Sequence, residues 1–159
     1  MTLAADGAWR IVADDLSGAP IRALLEQHFA GMLANSPAGS CHFLDFDGLN
    51  AADVTFWSIH HGGNLAGCGA LKMLDAAHGE IKSMRTADAF LRQGAAARML
   101  DHIIAEAQRC GLTRLSLETG SRAAFEPAIA LYRRYGFSDC EPFGAYRPDP
   151  FSRFMTRAL

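Results

Sequence analysis

The stretch from Glu80 to Gly111 constrains this chain more than any other. Over Glu80–Thr86, isoleucine and methionine alternate with charged and hydroxyl residues, the period-two pattern of a strand with two different faces. From Gly94 onward the period changes. Ala96, Met99, Leu100, Ile103, Ile104 and Ala107 share one helical face, and Gly111 stands where a helix stop belongs. A strand that runs directly into an amphipathic helix demands a sheet with helices packed on it. The junction itself ends in Gly94 and three alanines. Small residues let backbone approach a ligand closely, and the free amides of a first helical turn favour a phosphate. Arg92 and Arg98 add positive charge. A plain strand-to-helix connection, with alanines serving helix propensity, would have the same composition.

The remaining segments extend the same architecture. Trp9–Ala13 reads as a strand. Ser17 or Pro20 then opens a helix carrying Ile21, Leu24, Leu25, His28, Phe29 and Met32 on one face. Asn35–Asn50 reads as a loop, broken by Pro37, Gly39 and Gly48. Val54–His60 and Leu65–Leu74 are two strands joined by the turn His61-Gly62-Gly63-Asn64. Leu115–Glu118 is a strand, Phe125–Tyr135 a helix stopped by Gly136, and Ser152–Arg157 a last strand. The order β-α-β-β-β-α-β-α-β predicts an α/β mixed sheet with helices on its faces, in one domain over residues 1–159.

Bulk properties narrow the function. A net charge of −2 with no basic stripe argues against nucleic acid. The four cysteines show no CxxC or Cys/His spacing, so no metal is expected and reduced thiols are. His60–His61 lie on opposite faces of a strand, which is poor for chelation. The segment MTLAADGAWRIVADD lacks the features of a leader, and no apolar run approaches a membrane span. These readings predict a soluble, cytoplasmic protein with no membrane partner.

The junction segment Met84–Ala97 resembles motif A of the GNAT acetyltransferases, with Gly94 and Ala96 at the small positions. Ala128, Leu131, Tyr132, Gly136 and Phe137 resemble the family's motif B at its usual spacing. Two motifs in order, with a strand between them, are more specific than either alone. Leu91 stands where the family prefers Arg or Gln, Asp88 where proline is frequent, and Phe125 where Asn often begins motif B. The runs Gly79–Thr86 and Leu117–Ser121 look like a bacterial subgroup of small GNAT proteins.

The resemblance implies the GNAT acyl-CoA N-acyltransferase fold, with a splayed central sheet, and acetyl-CoA as co-substrate. It implies that CoA is held by Leu91, Arg92, Gln93, Gly94, Ala95, Ala96 and Ala97, with Phe125 and Tyr132 beside it. The Met84 amide is the candidate to polarise the thioester carbonyl, with Thr86 the next pairing residue. Acetyl transfer to an amine needs a proton acceptor and a proton for the departing thiolate. Tyr132 is expected as the general acid and Glu80 as the base; Glu118, at the end of the next strand, competes with Glu80. Tyr135 faces a different edge of the helix and is the inferior acid.

Lys82, Ser83, Arg85, Thr119, Ser121 and Arg122 cluster at two strand ends and would suit an anion, with Glu118 nearby and His42 in a covering loop. His28, on the apolar face, reads as a core or interface histidine. The expected acceptor is a small-molecule amine such as an amino acid, with a homodimer left open. A protein acetyltransferase acting on lysine or an N-terminus, and a non-catalytic acyl-CoA sensor, are the alternatives.

Overall fold

The computed structural model describes residues 8–159. Segment 1–7, part of the N-terminus read above as lacking a leader, lies outside the described residues. Strands β1 (Trp9–Ala13), β2 (Val54–His61), β3 (Asn64–Met73), β4 (His78–Thr86), β5 (Arg114–Gly120), β6 (Ser138–Asp139) and β7 (Ser152–Ala158) form one sheet in the order β1-β2-β3-β4-β5-β7-β6. Every neighbouring pair is antiparallel except β4–β5. A parallel pair needs a crossover, and α3 (Ala95–Arg109) supplies it. This is the mixed sheet expected from the sequence.

Two apolar clusters seat the helices. Met99, Leu100, Ile103 and Ala107 of α3 and Ile129 and Tyr132 of α4 (Glu126–Arg134) pack with Leu71, Ile81, Leu115 and Leu117 of the sheet. On the other face, Ile21, Leu24 and Leu25 of α1 (Ala19–Asn35) and Leu49 of α2 (Phe46–Leu49) cover Phe56, Cys68 and Ala70. The α3 stripe is thus the one its period requires. Gly111, with φ of 81°, follows the helix directly, and the Leu112 amide reaches back to the Ala107 carbonyl, the left-handed stop expected there.

Local features refine or correct the sequence reading. Of the two starts read for α1 the Pro20 one holds: the helix begins after Gly18 with Pro20 in its first turn, and Ser17 makes no cap. The segment read as loop contains α2, whose start is capped by Asp45 accepting from the Gly48 amide at 2.8 Å. Strand β6 spans two residues, too short to carry an alternating pattern.

The centre of the sheet is deliberately broken. Strands β4 and β5 pair only from His78↔Arg114 to Ile81↔Leu117. Beyond that, Gly69 of β3 faces two residues of β4, Ser83 and Met84, and Ser83 adopts a left-handed φ of 56°. Such a bulge bends its strand, here at the point where β4 leaves β5. The neighbouring strand must yield space: a Cβ on Gly67 would lie 2.6 Å from the Arg85 carbonyl oxygen, and one on Gly69 2.8 Å from Met84 Sδ.

Candidate active site

The parting of β4 and β5 opens a cleft of about 240 Å³. From Lys82 onward the β5-facing edge of β4 has no strand partner, which leaves backbone groups around Met84 for a ligand. Helix α1 closes one side through His28, Gly31 and Asn35, and the other is closed by Phe125, just before α4, with Ala128 and Tyr132 of α4. Phe125 owes its place to Gly120: any Cβ there would overlap the phenyl ring.

Tyr132 and Glu118 both line this cleft. Burial raises the Tyr132 phenol above its ordinary range, so it keeps its proton. Burial also pushes the Glu118 carboxyl up to about 7, opposed by Ser152 and Lys82 and reinforced by Glu80 and Asp149. One group therefore holds a proton and the other exchanges one near neutrality.

Glu80 stands elsewhere. It is 3% exposed and lines a neighbouring cavity of about 450 Å³, not the cleft with Tyr132. Its Oε2 accepts from Lys82 Nζ at 3.2 Å and from the Tyr146 hydroxyl at 2.5 Å. Lys82 Nζ also donates to Tyr146 at 2.9 Å. The expected base is thus paired with Lys82 and Tyr146, in a different cavity from Tyr132. Tyr146 had no motif to betray it; it reaches Glu80 from the long β6–β7 connection, a contact that only the tertiary fold creates.

The loop before α3 has the character expected of a phosphate site. Arg92 and Gly94 take left-handed φ values of 61° and 89°, and no side chain caps the helix. The amides of Ala95, Ala96 and Ala97 precede the first intrahelical bond, from the Arg98 amide to the Gly94 carbonyl. Leu91, Arg92 and Gln93 are exposed, and Gln93 turns its amide back onto the Ala89 carbonyl at 3.0 Å. The Arg98 guanidinium packs over Trp9 at 4.5 Å. Ala95–Ala97 carry only methyl side chains, and Arg98 Nη1 donates to the Gly94 carbonyl at 3.3 Å, so the residues present fit a pyrophosphate.

The remaining candidates divide. Lys82, Ser83, Arg85, Thr119 and His42 reach the cleft; Thr86 pairs with Gly67 on β3. Ser121 and Arg122 do not join them: the Ser121 hydroxyl donates to the Pro150 carbonyl, and Arg122 stacks on Phe151. The Tyr135 hydroxyl donates to the Ala97 carbonyl at 3.1 Å, tying α4 to α3. His28 is buried as expected of a core residue, yet it also lines the cleft. A helical period assigns a face, and α1 covers both core and cleft with the same face.

Such a site suits group transfer between a phosphate-bearing carrier held at α3 and an acceptor delivered from the α1 side. Comparison with known proteins gives the class. The chain matches the Acetyltransferase (GNAT) family over residues 19–137. It is 52% identical over 149 residues to YsnE of Bacillus subtilis (strain 168), an uncharacterized N-acetyltransferase, covering 94% of this chain and 99% of that one. Among solved structures, it resembles a Klebsiella pneumoniae protein assigned to the acyl-CoA N-acyltransferases (TM-score 0.76, 27% identity, 96% and 98% of the two chains). It also resembles N-acetylglutamate synthase of Neisseria gonorrhoeae complexed with coenzyme A and N-acetyl-glutamate (TM-score 0.67, 26% identity, 95% of this chain and 35% of that one). The chain belongs to the GNAT family and is an N-acetyltransferase.

Proposed function

We propose that this enzyme transfers acetyl from acetyl-CoA to the primary amine of a small molecule by direct attack. The observation that carries the reading is the common cleft of Glu118 and Tyr132, a carboxyl brought to about 7 and a phenol that stays protonated. Acetyl-CoA, when bound, supplies a thioester open to attack by an amine. The Ala95–Ala97 amides hold its pyrophosphate, and the unpaired edge of β4 at Met84 orients its acyl end. Glu118 takes the ammonium proton of the acceptor, and the Tyr132 hydroxyl holds the proton the departing thiolate needs. Glu80 fixes Lys82 and Tyr146 at the acceptor side.

A small acceptor fits the enclosure better than a peptide. The segment after α1 is clipped to the β6–β7 connection by Ser40 Oγ donating to Asp149 at 2.6 Å, and His42 meets Tyr146 edge to face at 5.3 Å. These contacts bridge the acceptor side, where a peptide would need an open groove. The four cysteines, none joined to another, suit a reducing cytoplasm.

Thiol release from acetyl-CoA, measured across amino acids, simple amines and peptides, tests the reading. Turnover with small amines is expected. Tight acetyl-CoA binding with no turnover on any of them would turn the protein into a sensor, and turnover on peptides alone would make it a protein acetyltransferase.

A further inference from the structure

One cation in the cleft lacks a counter-charge. On the α1 side, Lys82 is neutralised by Glu80 at 3.2 Å. Arg85 is not: among the described residues no carboxylate forms an ion pair with it, and its Nε is buried without a hydrogen-bond partner. The Ser83 hydroxyl, on the same strand and in the same cleft, is also buried and unpartnered. Two groups that sense the Arg85 charge carry none of their own. His28 is pushed down to about 4 by burial and by the Arg85 charge, so it is neutral. Cys68 is pushed up to about 12 by burial, so it stays a thiol. Gly31 brings the α1 backbone close: a Cβ there would lie 3.4 Å from Arg85 Nη1.

A guanidinium held in a partly closed cleft with orphaned donors is costly unless something anionic completes it. Its planar fork matches a carboxylate, and a single guanidinium with one hydroxyl suits a monoanion. We propose that Arg85 and Ser83 receive the carboxylate of the acceptor, which makes the acceptor an amino acid whose amine is presented to Glu118. The proposal rests on the N-acetyltransferase reading and narrows its substrate class.

Matched acceptors test it: amino acids, the amines left when their carboxylate is removed, and their methyl esters. They are assayed by thiol release with wild type, Arg85→Gln and Arg85→Lys. Wild type should prefer the free amino acid over both partners by roughly ten- to a hundredfold in kcat/KM. Arg85→Gln should abolish that preference by raising KM for the amino acid, with KM for acetyl-CoA and the rate on the decarboxylated amine little changed. Arg85→Lys should keep part of the preference. Equal use of all three acceptor types by wild type overturns the carboxylate site while leaving the transferase reading intact, and does so even if no variant folds. An equal loss on every acceptor in a folded Arg85→Gln protein also overturns it. Failure of every acceptor, with or without a carboxylate, removes the transferase reading and this proposal together.

Discussion

Burial acts on Glu118 and Tyr132 in the same direction, with opposite consequences at neutral pH. Raising a carboxyl to about 7 brings its titration into the working range, whereas raising a phenol takes its titration further out. The carboxyl can then accept and release a proton at neutral pH, and the phenol stays protonated. The shift on Glu118 also carries a stability signature. Its folded value lies above its unfolded one, so the fold favours the protonated form, and that contribution is lost as pH rises through about 7. Glu118→Gln should therefore match wild type below about pH 4 and exceed it above pH 8 by about 2 kcal/mol, seen in thermal melts as a Tm difference of about 5 °C. A Tm gap independent of pH would contradict the raised carboxyl. Tyr132→Phe should lower kcat by roughly a hundredfold with acetyl-CoA affinity retained, read by thiol release and calorimetry.

At the scale of elements, the start of α3 and the bulge in β4 make separable contributions. Gly94→Glu forces a side chain onto a residue at φ of 89° and sets a negative charge beside open amides. Acetyl-CoA binding by calorimetry should fall below detection in a protein that still melts cooperatively; undiminished binding would place the carrier elsewhere. Gly67→Ala sets a methyl against the Arg85 carbonyl at the bulge. It should lower kcat/KM for the acceptor more than for acetyl-CoA, because the strand it disturbs carries Lys82 and Arg85. Ile103→Ala, in the fully buried stripe of α3, should cost about 3 kcal/mol in denaturant unfolding and leave the pH profile of the reaction unmoved.

Across the whole molecule, what the sequence made legible follows from the range of the interactions involved. The α3 stripe, the Gly62–Gly63 hairpin and the Gly111 stop are local, so period and turn chemistry revealed them. The open amides of Ala95–Ala97 were legible for the same reason. The different surroundings of the two glutamates were not. Glu80 is occupied because Tyr146 reaches it from a distant loop, and Glu118 is raised because the tertiary fold buries it. Arg85 appeared among six polar residues of equal standing until the fold removed Ser121 and Arg122 and left Arg85 without a counter-ion. The account as a whole is tested most directly by the pH dependence of kcat/KM for an amine acceptor, in wild type and in Glu118→Gln. With Glu118 as base, the wild-type rate should rise through an inflection near 7 and then level off. The variant should be at least roughly a hundredfold slower at neutral pH, its inflection displaced to the acceptor amine's own pKa. A Glu118→Gln enzyme with the wild-type rate and the same inflection would contradict it.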